Sequence, residues 1–170
     1  LEAPSVVTAP VGSVAVPTAV DGADVIAWAH NETSTGALAP VSGVEGADPG
    51  ALVVVDGTSA AGGVVLDVSE TDVYYFAPQK SFGSDGGLWL ALMSPVALQR
   101  ASEIKESGRY IPPFLDLQTA IDNSVKGFAQ SGCMVACHLG EGAGFVVGSF
   151  ARPVRALCGA AIRYEMPGRP

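Results

Sequence analysis

Three short apolar runs constrain this chain more than any other feature: residues 24–29, 51–55 and 73–76. β-Branched and aromatic side chains dominate them, and each is bounded by polar residues or glycine-rich turns. Continuous apolar runs of this length suit strands buried on both faces, as in a parallel sheet. Each run then breaks into a polar loop, at 30–36, 56–63 and 77–87 in turn. In open α/β sheets the chemistry sits at the carboxyl ends of the strands, so these three loops are the expected functional rim. A fourth apolar run, 88–93, follows the third loop and makes the stretch from Asp72 to Met93 a strand–loop–strand unit.

The rest of the chain organises around that unit. Residues 5–9 suit a short strand, and 10–23 read as irregular. Residues 37–50 form a loop punctuated by Pro40, Gly43, Gly46, Pro49 and Gly50. Ser94-Pro95 is a helix start, with serine as N-cap and proline at the first helical position. Ala97, Leu98, Ala101 and Ile104 give that helix one apolar face, and Gly108 is its expected stop. Arg109 to Pro113 is a linker, after which Asp116 caps a second helix with Leu117, Ile121 and Val125 on one side.

Charge excludes whole classes of function. The net charge of −8 argues against nucleic acid and anionic membrane surfaces as partners. No apolar run approaches the roughly 18 residues of a membrane span, and no basic-then-apolar leader opens the chain. The chain starts at Leu1 rather than Met, as a processed chain or a fragment does. Three cysteines, at 133, 137 and 158, do not make a disulfide framework and point to a reducing compartment. Cys133, Cys137 and His138 match neither a haem nor a zinc spacing, so no metal site is expected. Composition breaks at Lys126: residues 1–126 hold 15 acidic and 5 basic side chains, whereas 127–170 hold 2 and 4. Two segments are therefore expected, 1–126 and 127–170.

The loops carry a recognisable set of groups. Lys80 is the only Lys or Arg before Arg100, on a loop with Pro78, Gly83, Gly86 and Gly87, where an amine can be desolvated and become a nucleophile toward an aldehyde. Asp56 ends the second run, 24 residues earlier, and can reach the same rim. Thr33 adds a hydroxyl and Gln79 an amide. Pyridoxal phosphate needs such a set: an amine for its aldehyde, a carboxylate at the pyridine nitrogen, a donor at the ring oxygen and donors for its phosphate. His30, in the first loop, is expected to be a surface polar residue rather than a catalyst. Tyr74, Tyr75 and Trp89 are expected in the core, Asp85-Gly86-Gly87 in a turn, and Asp67, Glu70 and Asp72 on a solvated acidic edge.

Taken together, His30-Asn-Glu-Thr-Ser-Thr-Gly36, Val55-Asp-Gly-Thr-Ser-Ala-Ala-Gly-Gly63 and Tyr75-Phe-Ala-Pro-Gln-Lys-Ser-Phe-Gly-Ser-Asp-Gly-Gly-Leu-Trp89 resemble the phosphoserine aminotransferases of actinobacterial type. These are class V, fold type I pyridoxal-phosphate enzymes. The resemblance runs from about Asp24 to Lys126. It implies part of a large α/β domain, a mostly parallel sheet with flanking helices, truncated at both ends. It implies Lys80 as the Schiff-base lysine and proton shuttle, Asp56 at the pyridinium nitrogen, Thr33 at the ring hydroxyl and Gln79 at the phosphate. It further implies amino transfer between glutamate and 3-phosphohydroxypyruvate, a homodimer and a cytoplasmic location. The family's glycine-rich phosphate loop, ring-stacking aromatic, substrate arginine and small C-terminal domain have no counterpart here. Trp28 lies inside a strand and does not replace the aromatic. Residues 127–170 match nothing in the family, as a shifted frame or an alternative terminus would produce. A non-catalytic remnant of the fold, or another class V enzyme such as an alanine–glyoxylate aminotransferase or a cysteine desulfurase, is the alternative.

Overall fold

A computed structural model describes residues 3–84, 88–126, 138–139 and 143–149. Strands β1 (Val25–Ala29), β2 (Leu52–Asp56), β3 (Val73–Phe76) and β4 (Leu88–Met93) are followed by helices α1 (Pro95–Glu106) and α2 (Leu117–Lys126), then β5 (His138–Leu139) and β6 (Ala143–Ser149). The sheet order is β1-β2-β3-β4-β6-β5. The fold is α/β as expected, and its sheet is mixed. The three strands that end in polar loops run parallel, whereas β4 and β6 pair antiparallel. Strand β6 joins β4 across the compositional break at Lys126.

Alternation along β2 builds two cores. Leu52 and Val54 face the helices and pack with Ala91, Met93, Ala97, Ala120 and Ile121. Val53 and Val55 face the other way, with Tyr74, Phe76, Leu90, Leu92 and Ala61. Val55 and Tyr74 are the largest fully buried side chains, each contributing about 1.5–3 kcal/mol by burial.

The helices begin as their sequences dictate. Ser94 caps α1 by accepting from Ala97 N–H at 3.2 Å, and Pro95 occupies the first turn. Gly108 follows the helix at φ +70, a conformation glycine adopts without a Cβ penalty. Asp116 accepts from Thr119 N–H at 3.2 Å at the start of α2. The apolar faces are narrower than expected: Ile104 and Leu117 are exposed, while Ile121 packs on the core as expected, joined on α2 by the buried Ala120 and Ser124. Val125 lies outside the residues whose side chains are described.

Three expectations need correction. Residues 5–9 form no strand, because they find no neighbour to pair with, and Val6 and Val7 stay exposed. The 24–29 run is not buried on both faces. Strand β1 is at the sheet edge among the described residues and only its Ile26–Trp28 face is covered, so Ile26 is buried while Val25 is 47% exposed. Of the acidic residues expected on a solvated edge, Asp67 and Glu70 are exposed as expected, whereas Asp72 is half-buried and bridges two elements. Asp72 accepts from Val53 N–H at 2.9 Å and from the Ser94 hydroxyl at 2.8 Å, tying β2 to the start of α1. Asp67 caps a short 3-10 turn, and Glu70 accepts from Gly43 N–H at 2.7 Å.

Candidate active site at the carboxyl rim of the sheet

Parallel pairing brings the ends of β1, β2 and β3 to one rim. Ala29 registers with Asp56, and Asp56 with Tyr75. The chain leaving β1 stays tied to β2, since His30 N–H donates to the Asp56 carbonyl at 2.9 Å. Similarly, Gly57 N–H donates to the Tyr75 carbonyl at 2.7 Å.

The first loop closes on itself. Glu32 N–H donates to the Ala37 carbonyl, Gly36 N–H to the Glu32 carbonyl, and Gly36 takes φ +74. The Glu32 carboxylate accepts from the Ser34 amide at 2.9 Å and its hydroxyl at 2.7 Å, which holds its pKa below the usual carboxylate value. Thr33 stands at the tip and shares a 2.6 Å hydrogen bond with Ser59, from the second loop.

Asp56 is half-buried and fixed. One carboxylate oxygen accepts from Thr58 N–H at 2.8 Å, and Tyr75 stands beside Asp56 in register on β3. Burial, then the Asp56 charge, push the Tyr75 phenol pKa upward. Beneath the rim, Tyr74 is pushed up to about 12, first by burial and then by the Asp56 charge. Its hydroxyl lies 3.0 Å from His30 Nδ1. His30 is 4% exposed, and burial lowers its pKa. It is therefore a core residue supporting the rim, where the sequence suggested a surface one. Tyr75 departs the other way: it is 40% exposed and registers beside Asp56, while Tyr74 and the half-buried Trp89 join the core as expected.

The second and third loops lock together. A Cβ at Gly57 would overlap the Tyr74 ring. Gly62, at φ +81, lies against the Phe82 ring, and a Cβ at Gly63 would sit 3.0 Å from the Ser81 hydroxyl oxygen. Phe82 in turn stacks on Phe76 at 5.5 Å between ring centroids. The loop carrying Lys80 is thus seated on the loop that follows Asp56.

The result is an open cavity of about 370 Å³ lined by Ala29, Asn31, Glu32, Thr33, Asp56, Thr58, Ser59 and Lys80. Three of the four residues expected from the sequence, Thr33, Asp56 and Lys80, meet there. Gln79 is exposed and is not among the lining residues. Lys80 is also exposed, so the desolvation anticipated for its amine is not met. It nonetheless lines the cavity. Sequence reasoning missed Ser59 and Tyr75 as partners of Thr33 and Asp56. The register Asp56–Tyr75 becomes visible only once β2 and β3 are paired. Among the described residues no cluster of potential metal ligands occurs. Cys133, Cys137, Cys158 and Asp85-Gly86-Gly87 lie outside them.

The parallel rim thus joins a carboxylate, a hydroxyl pair and an amine in one cavity. The aminotransferase class-V family model matches residues 17–126, and the chain belongs to that family. The phosphoserine aminotransferase of Corynebacterium glutamicum is 61% identical over 123 residues, which are 72% of this chain and 32% of that protein. The phosphoserine aminotransferase of Nocardioides sp. is 59% identical over 124 residues, 72% of this chain and 33% of its own. A putative phosphoserine aminotransferase of Mycobacterium leprae is 54% identical over 126 residues, again 33% of its length. A solved phosphoserine aminotransferase from Cytophaga hutchinsonii is 26% identical, with a TM-score of 0.49 over 61% of this chain and 31% of that one. The chain thus spans about a third of the length of the curated relatives it matches. No helix among the described residues is long and apolar enough to cross a membrane.

Proposed function

We propose that this chain carries the cofactor-binding core of a phosphoserine aminotransferase, using pyridoxal 5'-phosphate to move an amino group between glutamate and 3-phosphohydroxypyruvate. The observation that carries the reading is the convergence of Thr33, Asp56 and Lys80 on one cavity from three successive strand ends. The donor set fits the cofactor: one fixed carboxylate, one hydroxyl pair and one primary amine, in a space within the usual range of about 300–1,000 Å³ for ligand pockets. When bound, the cofactor supplies an electron sink for charge developing at the amino-acid α-carbon.

The protein groups do the rest. The Asp56 carboxylate, held by Thr58 N–H, would keep a proton on the ring nitrogen through a charge-assisted hydrogen bond. Thr33 bonds the ring oxygen. Lys80 would hold the cofactor through its aldehyde, and its amine would move a proton at the substrate α-carbon. Gln79, next in sequence, contributes its amide to the phosphate. The complete enzyme works as a cytoplasmic homodimer on small-molecule substrates.

The test is covalent labelling. After incubation with pyridoxal 5'-phosphate and borohydride reduction, peptide mapping should find the label on Lys80. Label spread evenly over Lys80, Lys105 and Lys126 would sink the assignment.

A further inference from the structure

The proposed role of Thr33 leaves its partner unexplained. Its hydroxyl lies 2.6 Å from the hydroxyl of Ser59, across the gap between the β1 and β2 loops. That separation is at the short end for O–H···O contacts, whose commonest value is about 2.7–2.8 Å. Each hydroxyl has one proton to donate, so the direction of this bond decides what Thr33 can offer. If Thr33 donates to Ser59, it can only accept from a ligand. If Ser59 donates to Thr33, the Thr33 proton is free to point into the cavity. Both residues line that cavity beside Asp56.

We propose that Ser59 is a positioning residue: it donates to Thr33 and thereby turns the Thr33 hydroxyl into a donor toward the ring oxygen of the bound cofactor. The inference rests on the cofactor reading given above. An anionic ring oxygen favours this direction, and a donor that itself accepts a hydrogen bond is polarised and donates more strongly. Losing Ser59 weakens the donation, makes the ring oxygen more basic and raises the pH at which the bound chromophore loses its proton. The charged groups facing this position are Asp56 from β2, Glu32 from the first loop and Lys80 from the third. Tyr75 adjoins Asp56, and His30 and Tyr74 lie beneath the rim. All remain in place in a Ser59 variant.

The experiment is a spectrophotometric pH titration of the Lys80-linked chromophore, formed by adding pyridoxal 5'-phosphate to the 170-residue chain. Ser59→Ala should raise the midpoint by about half a pH unit, the size expected from one modest hydrogen bond. Ser59→Thr, which keeps the hydroxyl, should return it to the wild-type value. Ser59 is half-buried at a loop, and unchanged circular dichroism will verify that the fold survives. A Ser59→Ala midpoint equal to wild type, with Thr33→Ala shifted, overturns the positioning role and leaves the cofactor reading standing. A wild-type midpoint equal to that of a free N-acetyl-lysine adduct overturns the cofactor reading and this inference with it.

Discussion

His30 is 4% exposed and its imidazole is held below its ordinary pKa by burial. The sign of the resulting pH dependence follows from which state binds the proton. Above about pH 6.5 the imidazole is neutral in both states, and the contribution is fully present. As pH falls through 6.5 the unfolded chain takes up a proton that the folded chain resists, so stability drops until the lower folded pKa is reached. The urea midpoint should therefore be lower at about pH 5.5 than at about pH 7.5, and His30→Gln should flatten that part of the difference. At the other face of the rim, Asp56→Ala should weaken pyridoxal 5'-phosphate binding by at least about tenfold, because a hydrogen bond to a charged group is worth about 1.5–3 kcal/mol. Asp56→Glu should recover little, since its longer side chain displaces the charge by about 1 Å. An absorbance titration of each variant measures both.

Among the elements, those whose signals are local were legible in advance. Ser94-Pro95 marked the start of α1, and 73–76 and 88–93 became β3 and β4 with the expected bounds. Where a neighbour decides the outcome, the sequence was silent. Residues 5–9 are as β-prone as β1, yet have nothing to pair with, and Asp72 became a bridge because β2 and α1 both present it with donors. The cavity divides the same way: Thr33, Asp56 and Lys80 stood out as polar groups at strand ends, whereas the Thr33–Ser59 contact and the Asp56–Tyr75 register are set by loop packing and strand pairing. Gly57 was read only as part of a small-residue loop, but the Tyr74 ring occupies the space its side chain would need. Gly57→Ala should cost about 1–3 kcal/mol through overpacking, measured as a lowered denaturant midpoint with an unchanged slope.

For the molecule as a whole, an open cavity limits what this chain does alone. Among the described residues lining it, Lys80 is the one cation, and phosphate and carboxylate groups of a substrate would need more than that for positioning. With glutamate, 3-phosphohydroxypyruvate and added cofactor, the 170-residue chain should turn over far below the enzyme median of about 10 per second. A rate near that median would show the described cavity to be sufficient. Apolar surface also remains uncovered, with Val11 and Val65 at 95% and 93% exposure, and size-exclusion chromatography should find the chain self-associating.

The seating of Gly62 against Phe82, and of Gly63 against Ser81, carries a further consequence. The distance from carboxylate to amine is gauged by two backbone turns resting on an aromatic ring and a small hydroxyl, away from the chemistry itself. Lengthening either loop by one residue should unseat these contacts and displace Lys80 relative to Asp56. The two loops therefore have to be inherited, grafted or redesigned as a matched pair.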